Sequence, residues 1–426
     1  MNDFIRNEPE SADGRDAIIL RGRVLTPADE LAEASVLIRG DRIAWVRPGR
    51  EEVPHAVDLS ANGDVIAPGL IDLQVNGFKG HDAAGGGEAI NAISALLPAT
   101  GVTGFLPTVI SRPLAELGRF GRAVAATEVA GARVLGAHFE GPFLSPAFRG
   151  AHEQAHLRTP DARAVRDVVA ARPRLVTVAP ELPGALRAIE TLAEAGIVVA
   201  AGHSGASAEQ AYAAVDAGVR FGTHLFNAMA RWHHREPGLA AALLADPRVT
   251  VGLVADGVHL HRTTVEIALL AAGAARTALT TDQTSAAGLP AGRYLLAGMD
   301  VESDGRAVAR TDGTLAGTVA TMDELVRRVA SLPSLGLREA VETASLTPAR
   351  LLGVDGLLGR VESGCAADLV VLDSESRVRL TLVGGRVVYR AAEIDGDGAV
   401  SGPAAHASVT QSRVKKSQKA SPAKRP

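Results

Sequence analysis

The chain has 426 residues, 46% hydrophobic and 22% charged, with a net charge of −4 and a single cysteine, Cys365. This balance is globular, sets up no global field to draw nucleic acid or an anionic membrane, and excludes an internal disulfide. The cleanest apolar stretches, such as 267–272, fall well short of the ~18 residues that span a bilayer. The polar, partly acidic start at 1–10 does not read as a signal peptide. A reducing cytoplasm fits this composition.

The first strand-like run is Ile18-Ile19-Leu20, followed by Arg21-Gly22-Arg23-Val24-Leu25. Ser35-Val36-Leu37-Ile38 then runs into the polar turn Arg39-Gly40-Asp41-Arg42 and returns as Ile43-Ala44-Trp45-Val46, which is hairpin chemistry. The middle of the chain alternates. Strand-like runs at 65–72, 103–108, 134–140, 175–179, 197–203, 221–225, 249–255 and 278–282 are separated by Ala/Leu/Arg/Glu-rich stretches such as 183–195 and 206–217. Such alternation predicts an α/β fold with a parallel sheet, and eight units over about 220 residues predict a (β/α)8 barrel of the TIM type, placed here at 65–357. Near the other end, Asp368-Leu369-Val370-Val371-Leu372-Asp373, the run 380–383, Gly384-Gly385 and Arg386-Val387-Val388-Tyr389 repeat the hairpin pattern. The economical inference is one small β domain built from both ends, 17–64 and 358–395. Before the C-terminal stretch the only lysine is Lys79, whereas 401–426 holds Lys415, Lys416, Lys419 and Lys424. That stretch and 1–16 are expected to be disordered tails.

In a barrel, functional side chains sit at the C-terminal ends of strands and in the loops that follow. Four candidates occupy such positions: Glu140 in His138-Phe139-Glu140-Gly141-Pro142, His203 in Gly202-His203-Ser204, His224 in Thr223-His224-Leu225-Phe226-Asn227, and Asp282 closing Leu279-Thr280-Thr281-Asp282. A lone histidine near a strand end is usually a hydrogen-bonded structural residue, and a lone buried glutamate usually pairs with an arginine. Here two histidines follow successive predicted strands, so their imidazoles can converge. One carboxylate and two imidazoles leave a coordination position open for water and suit one divalent metal, zinc first, with iron or manganese tolerated. Glu181, just after the fourth run, competes as a carboxylate ligand. Asp282 reads blandly as a helix N-cap. Functionally it reads as the acid/base that takes a proton from a metal-acidified water and returns it to a leaving amine. The same rim carries Gln74 and Asn76, Ala151 and His152, Asn227 and Ala228, Arg235 in Arg235-Glu236-Pro237-Gly238, and His259 in Asp256-Gly257-Val258-His259. Any one of these can simply stabilise a loop. Arginine, histidine and free backbone N–H groups together make an anion site.

Glu140-Gly141-Pro142-Phe143, Gly202-His203-Ser204, Thr223-His224-Leu225-Phe226-Asn227-Ala228-Met229, Arg235-Glu236-Pro237-Gly238 and Asp256-Gly257-Val258-His259 together resemble the N-acetylglucosamine-6-phosphate deacetylases of the amidohydrolase superfamily. The resemblance covers roughly residues 17–389; the motifs are highly specific as a set, although Glu-Gly-Pro-Phe alone is not. It implies a metal-bearing (β/α)8 barrel plus a small β-sandwich, and a hydrolase that removes the acetyl group from N-acetyl-D-glucosamine 6-phosphate. It implies a metal held by Glu140, His203 and His224, with Asp282 as acid/base and His152 helping to polarise or position the acetyl carbonyl. Gln74, Ala151, Asn227, Ala228, Arg235 and His259 are the implied substrate contacts. In this family the arginine can come from the neighbouring subunit, which implies a homodimer. Many amidohydrolases also carry His-x-His on strand one and a carbamylated lysine on strand four, and hold a second metal. Here Asp72-Leu73-Gln74-Val75-Asn76 has no histidine and 175–179 has no lysine, so a single tight metal is expected. Two other readings stay open: a related amidohydrolase acting on another N-acyl or cyclic amide, and a non-catalytic sugar-phosphate binder on a degenerate barrel.

Overall fold

A strand buried on both faces shows no polar alternation, only a short run of apolar residues. Eight such runs form the central barrel in the computed structural model, which describes residues 17–392. The barrel strands are Leu70–Val75, Val102–Ile110, His138–Glu140, Leu175–Val178, Val198–Ala201, Val219–Gly222, Thr250–Leu253 and Thr277–Leu279. Each pairs in parallel with the next from the first to the eighth. The ring closes just beyond the last ladder, where Val75 bridges Gln283 in parallel. There the Asn76 N–H donates to the Gln283 carbonyl at 2.9 Å, and the Asp72 carboxylate accepts from the Thr281 N–H at 3.2 Å and its hydroxyl at 2.6 Å.

Amphipathic helices cover the outside. Ala185–Glu194 buries Ala188, Ile189 and Leu192, and Met322–Ala330 buries Leu325, Val326 and Val329. Ala208–Ala217 starts on Ser207, whose hydroxyl accepts from the Gln210 N–H while the Gln210 side chain accepts from the Ser207 N–H. That capping box turns the chain into helix directly after the His203 loop.

A second, eight-stranded sheet is made from both ends of the chain. Ala17–Leu25, Glu30–Arg39 and Arg42–Pro48 form an antiparallel meander. Leu369–Leu372, Val378–Val383 and Arg386–Arg390 form another. Val65–Pro68 joins them, parallel to the first meander and antiparallel to the second. Leu20, Val36, Ile38, Ile66, Val371 and Leu380 share its core.

The run 65–72, read as one barrel strand, is therefore two. Val65–Pro68 belongs to the end-built sheet and Leu70–Val75 to the barrel. They part at Gly69, where an added Cβ would lie 2.1 Å from Thr103 Oγ1, so the backbone there is pressed against the second strand. Both halves are fully buried, and apolar continuity carries no mark of a change of sheet. The run 134–140 divides likewise into Arg133–Val134 and His138–Glu140. A four-stranded antiparallel sheet follows the eighth barrel strand: Gly292–Leu296, Met299–Ser303, Ala307–Ala309 and Leu315–Thr318. The sequence reading contained no such insertion. The tails expected at 1–16 and 401–426, and the last residues of 358–395, lie outside the described residues. Among the described residues no helix is long and apolar enough to cross a membrane.

Candidate active site

Glu140 ends the third barrel strand, His203 and His224 follow the fifth and sixth, and Asp282 follows the eighth. His203 (φ 49°), His224 (φ 29°) and Asp282 (φ 49°) all adopt left-handed backbone. That conformation costs a non-glycine residue about 1–2 kcal/mol. Its recurrence at three loop starts, each leading a side chain inward, marks the barrel mouth as a place where geometry outweighs local comfort.

The three candidate ligands converge. His203 Nε2 lies 3.1 Å from Glu140 Oε1, His224 Nε2 lies 2.8 Å from the same oxygen, and the two Nε2 atoms are 3.1 Å apart. All three residues are buried, at 4–5% exposure. His203 Nδ1 is 2.9 Å from the Phe148 carbonyl, which can only accept, so Nδ1 carries the hydrogen and Nε2 keeps its lone pair. Burial above all pushes the His203 imidazole down to about 4 and keeps it neutral. Burial works to raise Glu140, but the His152, His203 and His224 rings around it hold it well below the usual carboxylate range. Burial likewise works to lower His224, and Glu140 raises it instead. Both directions describe one position, ringed by lone pairs, that attracts positive charge. One carboxylate and two imidazoles with their ligand atoms within 4.8 Å of one another fit a divalent metal.

A cavity of about 300 Å³ opens on this cluster. His152, Asp282 and His259 share its wall with the three candidate ligands. His152 Nδ1 accepts the Ser111 N–H at 3.1 Å and lies 2.9 Å from its hydroxyl. A backbone N–H only donates, so neutral His152 carries its proton on Nε2, 3.6 Å from Glu140 Oε2. Asp282 Oδ1 accepts from Gln74 Nε2 at 3.1 Å and Asn76 Nδ2 at 2.7 Å, while Oδ2 faces His259 Nε2 at 4.0 Å. Burial, then the Glu140 charge, pushes the Asp282 carboxyl up to about 6. The His259 ring is oriented by Asp256, whose Oδ2 accepts from Nδ1 at 2.9 Å and whose Oδ1 accepts from the Val258 and His259 N–H groups.

Asn227, Ala228 and Ala151 also line the cavity, and Leu296, Thr314 and Leu315 of the inserted sheet complete its wall. The return strand passes so close that a Cβ on Gly317 would sit 2.6 Å from the Asp282 carbonyl, at φ +113°, so only glycine fits there. Gln74 is fully buried behind the wall and lines no part of it; its amide reaches Glu140 Oε1 at 3.0 Å. Arg235 is exposed, its Nη1 2.8 Å from His234 Nε2, and stands outside the cavity wall. Glu181 is no ligand: it accepts from Ser204 Oγ at 2.6 Å and the Gly205 N–H at 2.7 Å, clamping the loop that carries His203. Ser111, Asp256 and the inserted sheet were not singled out from sequence. Asp256 opens the motif Asp256-Gly257-Val258-His259, and Asp304-Gly305 and Asp312-Gly313 are turn signals that mark the insertion; Ser111 carries no signal beyond following a buried strand. A larger cleft, about 710 Å³, lies at the opposite end of the barrel beside Leu135, Gly136 and Ala137 and holds none of these groups.

Residues 65–388 match the amidohydrolase family. The chain belongs to the amidohydrolase family. This amidohydrolase is 37% identical over 390 residues to the N-acetylglucosamine-6-phosphate deacetylase of Bos taurus, covering 85% of this chain and 95% of that one. It is 34% identical over 377 residues to the N-acetylgalactosamine-6-phosphate deacetylase of Escherichia coli O157:H7, covering 87% and 98%. Among solved structures it resembles an aspartate-to-alanine variant of N-acetyl-D-glucosamine-6-phosphate deacetylase from Mycobacterium smegmatis in complex with N-acetyl-D-glucosamine-6-phosphate. That likeness has a TM-score of 0.82 and 34% identity over 88% of this chain and 99% of the other.

Proposed function

We propose that this amidohydrolase hydrolyses the acetamide of N-acetyl-D-glucosamine 6-phosphate, giving D-glucosamine 6-phosphate and acetate. The observation that carries the reading is the set of groups facing one cavity: Glu140, His203 and His224 with their ligand atoms together, the Asp282 carboxylate, and the His152 Nε2–H. Glu140, His203 and His224 would hold a divalent metal, zinc first, and that metal would supply the Lewis acidity that makes water nucleophilic near neutral pH and an amide carbonyl electrophilic. The residues supply the rest. His152 donates Nε2–H to the acetyl oxygen as negative charge grows on it. Asp282 Oδ2 takes the proton of the attacking water, then gives it to the sugar nitrogen as the C–N bond breaks. A C–O bond replaces the C–N bond, and the water's atoms are divided between acetate and amine.

In this reading Ala151, Asn227, Ala228 and His259, which line the cavity, contact the sugar, and Arg235 of a neighbouring copy in a homodimer binds the phosphate. The cavity's volume, about 300 Å³, suits a single amino-sugar phosphate. A cytoplasmic location is part of the proposal and agrees with the lone, buried Cys365. A non-catalytic binder has no use for an oriented carboxylate beside a three-ligand cluster.

The test is acetate release from metal-loaded protein, with and without prior chelation, on N-acetylglucosamine 6-phosphate, its N-acetylgalactosamine 6-phosphate epimer and unphosphorylated N-acetylglucosamine. Fast release from N-acetylglucosamine 6-phosphate that chelation abolishes and metal restores is expected. Absence of release from fully loaded protein defeats the reading, and preference for the galactosamine epimer corrects its substrate.

A further inference from the structure

Two carboxylates share this buried site, and two amides stand between them. Gln74 Nε2 lies 3.0 Å from Glu140 Oε1 and 3.1 Å from Asp282 Oδ1, and Asn76 Nδ2 lies 2.7 Å from Asp282 Oδ1. Gln74 lies near the C-terminal end of the first barrel strand and Asn76 directly follows that strand, so both amides stand at the barrel mouth. Gln74 and Asn76 are 0% and 3% exposed. Their acceptor ends, Gln74 Oε1 and Asn76 Oδ1, find no hydrogen-bond partner among the described residues. A bare buried carbonyl is unfavourable, and the fold tolerates two in order to aim every amide contact at a carboxylate.

We propose that Gln74 and Asn76 are positioning residues rather than substrate contacts: their N–H groups fix Glu140 and Asp282 and reserve Asp282 Oδ2 as the basic lone pair that faces the cavity. The inference deepens the deacetylase reading and rests on it for the role of Asp282. A division of labour follows from the contacts. Asn76 donates to Asp282 alone. Gln74 also donates to Glu140 Oε1, the oxygen on which His203 and His224 converge. Gln74 therefore orients a candidate metal ligand as well as the acid/base. The amides act without net charge. A third carboxylate in their place would repel both acids, and a cation would drain the basicity of Asp282.

The experiment uses the full chain, metal-loaded, with two readouts: steady-state turnover, and metal affinity measured by chelator competition without substrate. Asn76→Ala is expected to lower kcat about 10–100-fold, leave KM within about threefold and leave metal affinity unchanged. Gln74→Met keeps the length of the side chain and loses the donors. It is expected to lower kcat and also to weaken metal affinity about 10–100-fold. A loss that falls on KM alone in Asn76→Ala would make it a substrate contact and overturn the inference, as would an unaltered kcat. Metal binding by Gln74→Met as tight as in the unsubstituted protein also overturns it. If circular dichroism shows that Gln74→Met does not fold, the kcat and KM of Asn76→Ala decide. If the unsubstituted protein does not turn over at all, the deacetylase reading fails, and the difference in metal affinity between the two variants decides the positioning claim alone.

Discussion

The Ser111 N–H and hydroxyl meet His152 at Nδ1, so the neutral ring presents a hydrogen, not a lone pair, to the cavity. Asp282 is set up oppositely: two amide donors occupy Oδ1 and leave Oδ2 as the acceptor. One oriented donor and one oriented acceptor are what hydrolysis of an amide requires. Asp282 can act as a base only when ionised. Burial and the Glu140 charge push it up to about 6, and a bound divalent cation pulls it back down. The sign follows: as pH falls through a midpoint at or below about 6, the carboxyl takes up a proton and kcat/KM falls with it, on a limb of one proton. Asp282→Asn should lower kcat by roughly 10²–10⁴-fold and erase that limb. A pH–rate profile in which the limb survives in Asp282→Asn would assign the base elsewhere.

Barrel closure depends on contacts between elements far apart in sequence. Strands one and eight meet through Asp72, which accepts from the Gln74 and Thr281 N–H groups at 3.2 Å and the Thr281 hydroxyl at 2.6 Å. The carboxyl is fully buried, and burial pushes it up to about 7 against those bonds. A carboxyl raised in the folded state holds its proton more tightly there than in the unfolded chain, where its pKa is ~3.9. Its contribution to stability is complete below pH ~4 and is lost as pH rises toward about 7, with a slope of at most ~1.4 kcal/mol per pH unit. Asp72→Asn keeps the shape and removes the titration. The thermal midpoint of the unsubstituted protein should therefore fall relative to that of Asp72→Asn between pH 5 and 7, roughly, and the two curves should run parallel above that range. Parallel curves throughout would show Asp72 ionised in the folded state at all these pH values. Neither Asp72 nor its partner Thr281 stood out in the sequence, because a tie between first and last strands has no local pattern. What was legible was local. Glu140, His203 and His224 each end or follow a buried run, and strand ends are where a barrel gathers its chemistry. Gln74 was legible as a polar residue on that rim, but a cavity-facing amide and one behind the wall are spelled alike. The division of 65–72 between two sheets was hidden for a similar reason, since hydrophobic runs report burial and not the sheet that buries them.

At the level of the whole molecule, the described chain assembles a cavity with candidate metal ligands, a carboxylate and an N–H donor, but Arg235 stands outside its wall. The loop that holds Arg235 also exposes Trp232, 51% accessible and stacked on Phe226 with ring centroids 6.3 Å apart. An exposed aromatic beside an arginine is the composition of an interface anchor. If Arg235 serves the site of a second copy, a two-fold dimer carries each arginine across to the other cavity. Arg235→Ala should then raise KM for the phosphorylated sugar far more than for the unphosphorylated one, because a guanidinium reads phosphate with paired hydrogen bonds. Mixing separates the two geometries more sharply. Arg235→Ala and Asp282→Asn chains, each nearly inactive at low substrate, are co-expressed in equal amounts. About half of the dimers are then hybrid, and one of the two sites in each hybrid joins an intact Asp282 to an intact Arg235 from the other chain. Activity at low substrate should recover to about a quarter of that of the unsubstituted dimer. If Arg235 instead folds back onto its own cavity, no site in any hybrid is complete, and the mixture stays as inactive as its parents.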